Sequence, residues 1–276
     1  MRGAFIATAA SILGRWKMIR LIYVLRRKPS MSRDEFQKYW HEVHGPLVAR
    51  HATTLNVLRY VQDHTSDDPM NEQMASARGG MEPPYDGVAE LWWTTREAFA
   101  TSFASSAGQA AAKELVEDEA TFIDLPNSPL WLAYECPQIN PSEDIVARPS
   151  SGLVKIFFPL RHPPNQTLEQ AQLYWRTNHG PIIRGLAGGS HLKKYFQVHR
   201  FEDPIEQQLR SARGTKVPPY TGHAEAWIDR AESAAAAGTP EARRAGQLAV
   251  EDEANFIDFR NSSMWVAKER VVIDRR

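Results

Sequence analysis

One cysteine, Cys136, is all that the 276 residues contain. A lone thiol builds neither an internal disulfide framework nor a cysteine-based zinc site, and it fits a reduced compartment. Charge of one sign is missing as well, because 33 Lys+Arg balance 33 Asp+Glu. No basic excess marks a nucleic-acid surface and no acidic block marks a solvating tail. No stretch of the chain approaches the ~20 apolar residues of a membrane span, so neither nucleic acid nor membrane is expected as a partner. The patterns G-x-G-x-x-G, G-x-x-x-x-G-K-[ST] and G-x-S-x-G are absent. Nicotinamide, nucleotide-triphosphate and serine-hydrolase chemistry therefore lack their usual signatures. What remains is ordinary globular material, 42% apolar and 24% charged, enough for a sizeable core.

The first 17 residues admit two readings. Arg2, Ala4–Leu13 and Ala7-Thr8-Ala9 resemble a weak signal peptide, but Thr8 and Ser11 dilute the apolar run. An extension or misassigned start is the preferred reading, with a cytoplasmic location.

The chain is organised by an internal repeat. Tyr39-Trp40-His41-Glu42-Val43-His44-Gly45-Pro46 aligns with Tyr174-Trp175-Arg176-Thr177-Asn178-His179-Gly180-Pro181, an offset of 135 from Tyr39 to Tyr174. The same offset pairs Tyr60-x-Gln62-x-His64 with Tyr195-x-Gln197-x-His199, and Pro83-Pro84-Tyr85-x-Gly87 with Pro218-Pro219-Tyr220-x-Gly222. It also pairs Ser76-Ala77-Arg78-Gly79 with Ser211-Ala212-Arg213-Gly214. At an offset of 134, Glu117-Asp118-Glu119-Ala120 matches Glu251-Asp252-Glu253-Ala254. The period is domain-sized, not that of a solenoid unit. Two copies are expected, over 18–138 and 151–273, joined by a proline-containing linker at 139–150.

Each copy carries one element order. Ile19–Arg26 is a β-rich run, and Ser32-Arg-Asp-Glu35 is a capping box opening a helix. Gly45-Pro46 should kink or end that helix. Val57–His64 reads as a strand, Thr65–Pro84 as loop and Gly87–Trp93 as a strand. Arg96–Glu119 reads as a second helix and Leu130–Glu135 as a closing strand. The order β-α-β-β-α-β is the split βαβ of ferredoxin-like domains. Its helices cover one sheet face only. The second copy can cover the other, which predicts an α+β fold: two ferredoxin-like βαββαβ domains closed into an intramolecular dimeric α+β barrel. A pseudo-dimer of this kind should be stable as a single chain, with further oligomerisation left open.

Y-W-x-x-x-H-G-P, the Tyr-x-Gln-x-His strand, Asp86-Gly-Val-Ala-Glu-Leu-Trp92 and the E-D-E-x-x-F-I-D segment together resemble the EthD domain family. The resemblance runs from about Met18 to Glu269, in both copies. Thr221 departs from it where the first copy has Asp86. Membership implies the dimeric α+β barrel group. It also implies a range of activities, from dehydratases of polyketide anthrones to proteins tied to ether degradation. Fold relatives include lactone isomerases, cyclases, cofactor-free monooxygenases and haem proteins, so the reaction is less constrained than the fold.

Several residues are candidates for the chemistry. His44 and His179 sit where a helix meets Gly-Pro, suited to proton transfer at neutral pH. Their competing role is capping the kink. His64 and His199, at strand ends, are candidate partner acids or bases facing the lumen. Tyr85 and Tyr220, after a stiff Pro-Pro, are candidate oxyanion donors. Tyr39, Trp40, Tyr174 and Trp175 are candidate substrate contacts, with core packing as the alternative. Arg78 and Arg213 are candidate substrate clamps, or ties to Glu90 and Glu225. Glu117, Asp118, Glu119 and Asp124 read as a solvated helix face. His41, His44 and His51 have one-face spacing, but Arg176 replaces His41 in the second copy, and no metal is expected.

The expected function is a cofactor-independent lyase or isomerase of dehydratase type. Its substrate would be a hydrophobic oxygenated ring compound. An oxygen-using oxidoreductase, cofactor-free or haem-bound, is the alternative, and a non-catalytic ligand-binding barrel is the third reading.

Overall fold

Alternation along the strands decides the architecture. In β1 (Ile19–Leu25), Leu21, Tyr23 and Leu25 join a core beneath the helices, while Ile22 and Val24 join a separate core on the other face of the sheet. Every residue of the strand is buried, because both faces are covered. The computed structural model describes residues 18–276. The expectation for the first 17 residues lies outside the described residues.

β1 pairs antiparallel with β3 (Gly87–Trp93) and β4 (Leu130–Ile139), and β3 pairs with β2 (Arg59–Thr65). The second copy repeats this with β5 (Leu153–Leu160), β6 (Leu192–Phe201), β7 (Gly222–Asp229) and β8 (Trp265–Asp274). The sheets join at both edges, β2 to β8 and β4 to β6. The result is a closed barrel in the order β1-β3-β2-β8-β5-β7-β6-β4. Closure leaves no free sheet edge, and the duplication makes that closure intramolecular. The expected fold is therefore present.

Helices clothe the outside. The first copy has α1 (Arg33–Tyr39), α2 (Gly45–His51), α3 (Pro69–Ser76), α4 (Arg96–Ala104) and α5 (Ser106–Phe122). The second has α6 (Leu168–Tyr174), α7 (Gly180–Ser190), α8 (Pro204–Arg213), α9 (Arg230–Ala236) and α10 (Pro240–Glu253). The capping box of Ser32 and Glu35 is formed as expected.

Two expectations need correction, and a third is narrowed to one of its alternatives. Thr65–Pro84 is not all loop. Asp68 caps α3 by accepting from the Met70 amide, and Pro69 fills the first helical position, where its missing N–H costs nothing. The single second helix is two, because the Ser105 backbone is extended and its hydroxyl restarts the helix at the Gly108 amide. The first helix does not end at Gly45-Pro46. It widens into a π turn over Trp40–His44 and resumes as α2.

Candidate functional site

The π turn is what aims the first histidine. Pro46 has no N–H, and its ring would crowd the carbonyl four residues back. The chain loosens by one residue per turn, and the Gly45 amide donates to the Trp40 carbonyl five residues earlier. His44, at the end of this turn, is carried inward and buried. Trp175–His179 repeats the device with Gly180 and Pro181.

Each histidine meets an aspartate from the long second helix. His44 Nδ1 lies 2.6 Å from Asp118 Oδ2, and Tyr39 donates its hydroxyl to Asp118 Oδ1 at 2.8 Å. In the second copy His179 Nδ1 lies 2.7 Å from Asp252 Oδ2, and the Tyr174 hydroxyl is 2.8 Å from Asp252 Oδ1. The hydrogen bond from His44, helped by the one from Tyr39, outweighs burial, which acts the other way, and leaves the Asp118 carboxyl below its ordinary value. An ionised Asp118 accepts a hydrogen bond and so holds the proton on His44 Nδ1, which leaves Nε2 as the nitrogen available for chemistry. Among the described residues Nε2 has no hydrogen-bond partner.

Both histidines line cavities between the sheet and the helices. The first cavity measures about 420 Å³, with Tyr23, Trp40, Tyr60 and Trp93 on walls that are mostly apolar. The second measures about 320 Å³, around Phe158, Trp175, Tyr195 and Phe256. Each is completed by the other copy. α8 brings Leu209 and Arg213 to the first cavity, and Arg78, just past α3, reaches the second. Arg213 binds Glu119 at 2.6 and 2.7 Å, and Arg78 binds Glu253 at 2.7 and 2.9 Å. All four side chains are buried, so these paired forks lock one copy to the other. Neither arginine ties to Glu90 or Glu225, as the sequence suggested.

The other candidates are placed differently from their expected roles. His64 and His199 do not face the lumen. They point to the helix side, where His64 stacks on Trp40 at 4.8 Å and His199 lies 4.6 Å from Trp175. Strand parity explains it: they lie two and four residues from Gln62 and Tyr60, or Gln197 and Tyr195, which also face the helices. Neither histidine lies on a cavity wall. Burial pushes the His64 imidazole down to about 3.

Tyr85 and Tyr220 belong to neither cavity. Their hydroxyls meet inside the barrel at 3.2 Å, and Tyr220 donates to Glu82 at 2.6 Å. Arg26 and Arg161 cover their rings. The four residues form a plug at one barrel end. Tyr39 and Tyr174 hold the aspartates and are not part of the walls. Trp40 and Trp175 are wall and core at once.

Asp118 and Glu119 are not part of a solvated helix face, contrary to the sequence expectation: Glu119 is buried and Asp118 nearly so. The signal available was their recurrence, at one offset, in Asp252 and Glu253. Tyr23 had no such signal, since Phe158 occupies its counterpart position. Its phenol lines the first cavity beside Arg213, whose guanidinium lies 5.2 Å from the ring centre, and burial pushes its pKa up.

His41, His44 and His51 do not converge. His41 faces Gln62 and His51 faces Glu114. Glu90, His223 and Glu225 lie close enough to share a cation, but Lys155 Nζ already sits 2.9 Å from Glu90 and 3.1 Å from Glu225.

Residues 28–126 and 163–260 each match the family model of the EthD domain. No curated protein matches the chain. Among solved structures, an anthrone oxidase-like protein superposes with a TM-score of 0.55 at 11% identity, covering 94% of this chain and 95% of its own. A candidate monooxygenase from Fusobacterium nucleatum superposes with a TM-score of 0.51 at 6% identity, covering 93% and 94%. At such identities the likeness is one of fold.

Proposed function

The chain belongs to the EthD domain family, and from that premise and its two cavities we propose a small-molecule enzyme that moves a proton with His44 or His179. The observation that carries this reading is the duplicated Tyr–Asp–His chain ending at an apolar cavity. Asp118 fixes the imidazole tautomer and stabilises the imidazolium that proton transfer creates, and Tyr39 holds the carboxylate in place. Neither touches substrate; both are positioning residues. The walls suit a hydrophobic ring compound, and no cofactor is needed for the step.

In a dehydration, Nε2 takes a proton from the carbon beside a substrate carbonyl. The electron pair forms an enolate, and the Tyr23 hydroxyl donates to its oxygen. The enolate then expels the β-hydroxyl, which leaves as water with the proton returned by the imidazolium. Tyr23 suits this role because it stays protonated and stands in an apolar wall.

Haem fits these cavities poorly. Propionates need cations, but Arg213 is committed to Glu119 and Arg78 to Glu253. Lys113 is the other basic residue of the first wall. Tandem measurement of the visible spectrum and of turnover tests both points. The expected result is no Soret band, and loss of a hydroxylated polycyclic, lactone or phenolic substrate without oxygen uptake. Oxygen uptake matching turnover would instead support the oxygen-using alternative. Binding with no turnover would support a ligand-binding barrel.

A further inference from the structure

The barrel interior is divided into two zones. Towards the Tyr85–Tyr220 plug it is apolar, with Ile22, Val24, Trp131, Phe157 and Trp265. Towards the opposite end it is charged. Arg20 binds Glu225 at 2.6 Å and Glu90 at 2.8 Å, and Lys155 binds Asp63, Glu90 and Glu225. Burial pushes the Glu90 carboxyl well above its ordinary value. These acids are spoken for by Arg20 and Lys155. Above them a chamber of about 390 Å³ opens at the end of the barrel where the linker crosses.

Two cations in the chamber, Arg59 and Lys194, make no side-chain hydrogen bond among the described residues. Arg59 is 6% exposed, yet none of its side-chain nitrogens makes a hydrogen bond among the described residues, and its Nε is buried without a partner. Its nearest acids, Asp144 and Asp274, are 3.9 Å away, beyond hydrogen-bond reach. Lys194 is its counterpart at the offset of 135 from Arg59. It packs over the Trp227 ring at 4.4 Å and the Phe196 ring at 4.9 Å, with no ion pair or hydrogen bond among the described residues. Arg59 in turn packs over Trp92. Burial lowers the Lys194 ammonium from its ordinary value. β2 and β6 are four strands apart whichever way round the barrel is followed, so the two cations line opposite sides of the chamber. A buried guanidinium N–H with no acceptor is unfavourable unless a ligand accepts from it.

We infer that the chamber is a third binding site, in which Arg59 and Lys194 hold one small oxyanion, a carboxylate or phosphate group, between the aromatic rings of Trp92 and Trp227. An eight-stranded barrel has room for one small ligand beyond its own side chains. Planar donors on Arg59 and a point charge on Lys194 supply a fork and a counter-charge. The acids near the mouth, Asp144 and Asp274, compete with the ligand for Arg59, which sets a modest affinity. The site is separate from both histidine cavities and does not depend on the reaction proposed for them.

Isothermal titration of the full chain with sodium phosphate, and separately with sodium acetate, tests the inference against sodium chloride of equal ionic strength. Saturable binding of one anion per chain is expected for at least one of the two. Binding of both marks a general oxyanion site; binding of one identifies the preferred source. Lys194→Gln, at a half-buried position, should weaken binding by roughly tenfold or more, and Arg59→Met by at least as much. The double variant His44→Ala, His179→Ala should bind as the wild type does. Heats no larger than those of chloride, or affinity unchanged in folded Lys194→Gln protein, would overturn the inference.

Discussion

The two histidine cavities share their Tyr–Asp–His chains and differ in part of their walls. Tyr–Asp–His recurs at matched distances, as does the buried Arg–Glu fork from the opposite copy. Facing the space itself, Tyr23, Trp93 and Leu55 of the first copy stand where the second has Phe158, Ile228 and Ser190. The first cavity offers a buried phenol as a donor; the second offers hydrocarbon at the same place. Divergence has thus fallen on part of the walls, where Trp40/Trp175 and Tyr60/Tyr195 are kept, and has spared the Tyr–Asp–His chains. Under the function proposed above, the first cavity is the better equipped to stabilise an oxyanion.

The comparison is broken most sharply at the histidines. His44→Ala should lower kcat by about 10²–10⁴-fold, the usual worth of a general acid or base, and His179→Ala by much less. Steady-state kinetics of the two single variants decides it. If His179→Ala abolishes turnover and His44→Ala does not, the preference for the first cavity is wrong.

Next come the forks. Arg213→Ala leaves Glu119 buried without its cation, and Arg78→Ala does the same to Glu253. Each should lower unfolding free energy by about 3–5 kcal/mol. Chemical denaturation of both should give similar losses, because the two bridges have similar burial and geometry. A loss confined to one would show that the pseudo-symmetry is one of shape and not of energy.

Exchange of the wall residue sharpens the contrast. Tyr23→Phe should cost about 10²–10³-fold in kcat, the effect of removing an oxyanion donor. Phe158→Tyr should raise the residual activity of a His44→Ala protein. Equal rates for Tyr23→Phe and wild type would remove the phenol from the mechanism.

The smallest effect concerns the lumen, where His223 stands at the position of Val88. Burial, only partly offset by the hydrogen bond to Glu225, pushes the His223 imidazole down to about 4. The unfolded chain binds that proton near pH 6.5, the folded chain only near 4. Stability must therefore fall as pH drops through this window. His223→Val should flatten that acid limb, by about 3 kcal/mol at most. Melting curves between pH 7 and pH 4 measure it, and an unchanged slope would count against the depressed value.

What one sequence determined here is linear in character. Two offsets, 135 and 134, reveal the duplication, and β-rich apolar runs with a capping box place the strands and the start of the first helix. The bare sheet face of each copy then required the barrel. His44 and His179 were legible because Gly-Pro disturbs a helix locally, although the π turn that resulted was not. Asp-Pro at 68–69 carried a helix start that turn chemistry masked. The site's remaining parts belong to tertiary structure. Asp118 meets His44 across 74 residues, and Arg213 meets Glu119 across 94, between copies. Such meetings depend on which face of a closed barrel looks outwards. Alternation says that Tyr60, Gln62 and His64 share a face, and closure alone decides that this face is the helix side and not the lumen. The same closure turned Tyr85 and Tyr220 into a plug, and brought Arg59 opposite Lys194. A side chain's parity is written in its strand; its destination is set by how the eight strands close.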